Sequence, residues 1–219
     1  MRQLLPLVAL AALALPASAQ VPDAPDRDGI HVVGAWTLTV LDPDGSVVER
    51  REFHNDLTER GADLLARLLS QGQTAGEPTV GLLSSDPSNP STAPCRPSSF
   101  IFDGLGAYDG CYITTDGARA AGIVPGFTSR NLIVATIGAG DGVDLVTGVR
   151  LAGSATVEST SEIGVVRTFF GSCAPDSTPG DCVEMLPLRD AFTERDLGTE
   201  ALAVQAGQTV NVQVDISFE

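Results

Sequence analysis

The sequence predicts a mainly β fold: a single jelly-roll-like antiparallel β-sandwich with one amphipathic surface helix at about residues 57–71. Three observations predict it. Apolar residues recur at every second position in several runs, most cleanly at the C-terminus. Gly and Pro, at 23 and 14 residues, punctuate those runs with turn signals. Only one stretch carries apolar residues at helical spacing.

The elements follow in chain order. Residues 30–41 alternate in their second half, with Trp36, Leu38 and Val40 on one face and Thr37 and Thr39 on the other. Asp42-Pro43-Asp44-Gly45 is a turn, since Pro fixes one φ and Gly accepts a positive one. Residues 46–54 run back, completing a hairpin. The helix follows, with Asp56 or Thr58 as its cap. Leu57, Leu64, Leu65, Leu68 and Leu69 form its stripe, Glu59, Arg60, Asp63 and Arg67 its opposite face, and Gly72 its stop. Residues 78–83 read as a short buried strand. Residues 84–117 read as a long Ser/Pro/Gly-rich excursion. Strand-like runs then recur at 130–136, 143–151, 155–158, 163–170, 183–188, 201–204 and 209–218. In the last, Val210, Val212, Val214, Ile216 and Phe218 share one face, the pattern of a sheet with one side on a core and one in water. Runs of this kind with a single helix build a sandwich. No linker separates two cores, so residues 30–219 form one domain.

The chain begins with the three parts of a secretory signal over residues 1–19. Arg2 supplies the positive start, Leu4 to Leu15 the apolar run, and Ala17-Ser18-Ala19 the small-x-small cleavage site. Residues 20–29 form a polar, Pro-rich flexible leader. Export predicts a secreted, extracellular or cell-surface protein, with the periplasm as the alternative, and no membrane insertion after cleavage. It also makes the four cysteines candidates for oxidation. Cys95, Cys111, Cys173 and Cys182 allow three connectivities, and spacing alone does not choose among them. The two local pairs are the expected ones, each closure contributing roughly 2.5–3 kcal/mol. A zinc site would need closely spaced thiolates or a nearby His, and the sequence has neither.

The pieces in this order resemble phage tail-fibre and phage-tail-like structural proteins. The resemblance is carried by residues 53–61 (FHNDLTERG), which follow a hairpin and open an amphipathic helix ending in Gly72. A strand at residues 79–83 and a Ser/Asp/Pro loop come next. The block from Asn131 to Phe170, then Phe192-Thr193 and residues 204–218, completes it, so it spans most of residues 36–218. The signal and the cysteines depart from that pattern, because virion proteins assemble in a reducing cytoplasm. What the resemblance implies is the sandwich fold and an exported bacterial relative working at or beyond the cell surface.

The charge balance sets aside whole classes of partner. Thirteen Lys+Arg, every one of them Arg, stand against 28 Asp+Glu, for a net charge of -15. Such a chain offers no basic footprint for nucleic acid or an anionic membrane. The motifs for chemistry are equally thin. His31 and His54 are the only histidines, and no G-x-S-x-G elbow accompanies them. Gly138-x-Gly140 lacks the Lys of a phosphate loop. Asp141 and Asp144, or Asp42 and Asp44, could offer oxygens to calcium, but without the ladder of an EF-hand they read first as turn residues. No cofactor is expected.

Two readings of function remain. The first is a secreted non-enzymatic structural or adhesive protein, a subunit of an extracellular fibre or tail-like appendage that assembles with itself or other surface proteins through β-strand edges. Ile30, His31, Val32 and Val33 are its candidate strand-donor segment. An ordinary N-terminal arm on its own sheet is the plainer account of those four residues. The second is an extracellular carbohydrate- or ligand-binding module that reads its target with the disulfide-tied loops and Tyr108 or Tyr112.

Overall fold

The computed structural model describes residues 32–85, 94–95, 110–115, 129–138, 146–178 and 191–218. Twelve strands and one α-helix occupy them. The first hairpin pairs β1 (Val32–Leu41) with β2 (Val47–Leu57), and the helix α1 (Glu59–Gln71) follows directly. Strands β3 (Thr74–Ala75), β4 (Thr79–Ser84), β5 (Gly110–Thr114), β6 (Ile133–Gly138) and β7 (Val146–Thr156) come next. Then come β8 (Ser161–Phe169), β9 (Ser172–Cys173), β10 (Thr193–Asp196), β11 (Leu202–Val204) and β12 (Thr209–Phe218).

The chain is the expected mainly β, antiparallel sandwich with one helix. Its layers belong to one ten-stranded sheet in the order β5-β4-β8-β10-β2-β1-β12-β7-β6, with β11 beside β8. The far ends of that path come face to face. A Cβ on Gly153 of β7 would lie 2.7 Å from Ile113 Cγ2 of β5 and 3.3 Å from Leu132 Cα, so only glycine fits this approach. One core cluster accordingly joins Val80, Leu82 and Ile113 to Trp36, Leu38, Leu151, Val212 and Val214. Trp36 stacks on Phe53, with ring centroids 5.9 Å apart.

Strand β10 sits where one half of the sheet gives way to the other, and a polar ladder fixes it there. Asn55 Nδ2 donates to Thr193 Oγ1 at 2.8 Å, and Thr193 and Thr168 share a 2.7 Å hydroxyl bond, all three residues buried. These bonds tie β2, β10 and β8 together inside the core, while the buried Asn55 Oδ1 has no hydrogen-bond partner.

The helix starts and stops where the sequence placed it. Thr58 Oγ1 accepts the Gly61 N–H at 2.9 Å and also donates to Ala191 O, while Gly72 closes the last turn at φ 61. Its leucines pack more shallowly than their stripe suggested. Leu64 and Leu65 reach the core half-buried, and Leu69 stays 65% exposed.

Four strands depart from the sequence reading. β5 lies inside what was expected to be a long loop, β10 has the charged sequence TERD, which no period of two would nominate, and the two-residue strands β3 and β9 pair with each other where no strand was expected. The breaks expected between 151 and 155 are absent, because β7 runs unbroken through Gly153. The strand expected at 183–188 lies outside the described residues.

Candidate functional site

Among the described residues, the edge at β6 is a strand edge left open to a partner. The segment before it binds β5: Thr114 N–H donates to Ser129 O at 3.1 Å, Ser129 N–H to Tyr112 O at 3.2 Å, and Leu132 N–H to Thr114 O at 3.0 Å. From there the chain runs on past the end of β5 and, among the described residues, pairs only with β7. Both faces of β6 therefore meet water, with Ile133 66% and Val134 45% exposed.

Two hydrogen bonds orient the strand. Leu132 N–H points toward β5, whereas Ile137 O faces β7 and accepts from Thr147 Oγ1 at 3.2 Å. Successive residues of a strand turn their backbone groups to opposite edges. Ile133, Ala135 and Ile137 thus address β7, and Val134 and Thr136 present N–H and C=O to the outer edge. Among the described residues no strand pairs with that edge.

Edges of this kind are usually guarded by Lys, Pro or an inward charge. The run Ile133-Val134-Ala135-Thr136-Ile137-Gly138 has none of these. On the neighbouring strand Arg150 stands opposite Ala135 and forms a 2.6 Å ion pair with Asp215 of β12, one strand further in. The guanidinium hydrogen bond holds the Asp215 carboxyl below its ordinary value.

The other sequence candidates fall elsewhere. Cys95 and Cys111 are joined in a disulfide with Cα atoms 4.9 Å apart, both wholly buried, and Pro94 O takes the Glu158 and Ser159 N–H groups to clip this corner to the end of β7. Cys173 on β9 is also disulfide-bonded, and Cys182 lies outside the described residues. Of the strand-donor segment, Val32 and Val33 belong to β1. Val32 pairs with Phe218, and Val33 pairs with Ser217 on one side and Asp56 on the other. That corrects the donor expectation for these two residues, because donating them would break a ladder between two central strands. Ile30 and His31 lie outside the described residues, as do Asp141, Asp144 and Tyr108.

Tyr112 is 5% exposed and packs on Phe169, so it is part of the core and not of a recognition surface. Asp42 and Asp44 each commit one carboxylate oxygen to a contact within the fold. Gln208 Nε2 donates to Asp42 Oδ1 at 2.8 Å, and the Ser46 hydroxyl and N–H hold the Asp44 carboxyl below its usual range. His54 is exposed on β2 opposite Ala35. Among the described residues no three His, Cys, Asp or Glu side chains gather as a metal ion would need, and no helix is long and apolar enough to cross a membrane.

The sequence does not mark β6 as an edge. A short run without charge reads as a fully buried strand, and its exposure depends on where β5 ends. Compared with protein-family models, curated proteins and solved structures, the chain matches none.

Proposed function

We propose that this protein is an exported, non-enzymatic structural or adhesive subunit that assembles at or beyond the cell surface through β-strand edges. The observation that carries the proposal is the unguarded, uncharged edge of β6, whose outward backbone groups can be satisfied by another extended strand or by water. The secretory signal at residues 1–19 and the buried Cys95–Cys111 disulfide support export. The resemblance to phage tail-fibre structural proteins supports a role in an appendage. Acidity keeps the rest of the surface solvated, so that contact is confined to chosen places.

Sedimentation of the mature protein over a wide concentration range, with negative-stain microscopy of native secreted material, tests this reading. Concentration-dependent oligomers or filaments are expected. A monomer at every concentration that instead binds selectively on a glycan array would replace it with the ligand-binding reading.

A further inference from the structure

The occupant of the β6 edge follows from the direction of its backbone groups. We propose that β6 pairs antiparallel with β6 of a second copy of this chain, in a register centred on Ala135, so that the sheet continues across a twofold axis. This inference rests on the assembly reading above and names the partner of that site.

The register is restricted by geometry. Val134 and Thr136 face outward, so in any symmetric pairing an outward residue must meet an outward residue. That requires the twofold to pass through a residue position and not between two residues. Centring on Ala135 sets Val134 opposite Thr136 of the second copy, twice by symmetry, as hydrogen-bonded pairs that each exchange two bonds. Ile133 then stands opposite Ile137 of the second copy, also twice, on the face that carries Ala135. Centring one outward residue either way loses both of these isoleucine pairs. The small Ala135 falls at the axis itself, a non-hydrogen-bonded position where side chains come closest.

Charge favours a second copy over a foreign strand. In a chain of net charge -15, two copies can meet only where acidic groups are not stacked against each other. The β6 edge is such a place: it has no charge of its own, and the Arg150 opposite Ala135 on β7 is already paired with Asp215 of β12. A basic partner strand would find nothing on β6 to answer its charge. A six-residue edge contact is smaller than the roughly 1,200–2,000 Å² of a standard stable interface, so the dimer is weak and reversible.

Two variants of the mature, oxidised protein test the contact. Ala135→Cys places two thiols at the axis within reach of a disulfide. Under mild oxidation it is expected to give a covalent dimer on a non-reducing gel at least ~10-fold faster than Ser70→Cys on the exposed end of α1. Thr136→Pro removes only an outward N–H, so the ladder to β7 and the thermal midpoint are retained while the dimer dissociation constant rises at least ~10-fold. If the native protein assembles but Ala135→Cys cross-links no faster than Ser70→Cys, the β6–β6 contact is wrong, and assembly runs through another surface. A Thr136→Pro variant that assembles like the native protein excludes the contact equally. A native protein that stays monomeric at every concentration removes both this contact and the assembly reading.

Discussion

Strand β12 buries every second residue from Val210 to Ile216, with Phe218, expected on the same face, left 39% exposed, whereas β4 buries all six. Both are antiparallel strands of the same sheet, and both contribute to the same core cluster. They differ in what lies on the other side. The outer face of β12 carries Asn211, Gln213 and Asp215 toward water, as does the outer face of β1 with Thr37 and Thr39. The outer face of β4, β5 and β8 carries a second cluster, Leu83, Tyr112, Val165 and Phe169, with Ala191. Apart from the edge strand β6, one half of the sheet is thus dry on one side and the other half on both. The wet half sets its register by alternation, since a one-residue slip would turn valines outward. In the dry half alternation is lost, and the bulge between Leu83 and Ser84 has no apolar-polar pattern to mark it.

Truncating one large ring in each half tests whether the second cluster is a core of equal weight. Trp36→Ala and Phe169→Ala should each cost about 3–5 kcal/mol in urea unfolding, because both rings are buried to 1% exposure. A Phe169→Ala cost under about 1 kcal/mol would reduce the outer cluster to a satellite. Removing the covalent tie is the next largest change. Cys95→Ala with Cys111→Ala frees a closure of 16 positions and should lower stability by roughly 3 kcal/mol, with the loss falling on the dry half in hydrogen exchange.

Thr58→Ala acts where the hairpin of the wet half hands over to the helix. It removes the cap to Gly61 and the bond to Ala191, and should cost about 1 kcal/mol, readable as reduced helical signal and a lower midpoint. The smallest effect belongs to the exposed face. The Asp215 carboxyl is held below its ordinary 3.8, first by its hydrogen bond from Arg150. A folded value below the unfolded one means the pair stabilises the fold above pH 3.8 and stops doing so as pH falls through the lowered value. Asp215→Asn should therefore reduce stability slightly at neutral pH and flatten the acid limb of a stability-against-pH curve. A steeper acid limb in the variant would reverse the sign.

The same contrast explains what could be read from the sequence. β1, β12 and the helix were legible because each carries its own instruction: alternation in the strands, a cap and a glycine stop in the helix. β10 carries no such instruction. Its Thr-Glu-Arg-Asp becomes a strand because β2 and β8 leave edges that it fills, and because Arg167 meets Glu194 at 2.6 Å across the ladder. β5 hides in a Gly- and Ser-rich stretch, and is held by β4 on one side and the Ser129–Leu132 segment on the other. Gly153 reads as a break and is instead the place where two parts of the sheet approach too closely for a methyl group. The β6 edge was legible only as a strand. Whether a strand is central or terminal depends on the lengths of its neighbours, which its own residues do not record.

The Cys95–Cys111 bridge lies wholly beneath the surface. A thiol reagent in solution cannot touch either sulfur while the shell is intact, so the rate at which the bridge is cut reports how often this corner opens. The reverse holds during biogenesis. An oxidase has to reach the pair while the surrounding strands are still apart, and a chain that closes over two unjoined thiols seals its own mistake inside.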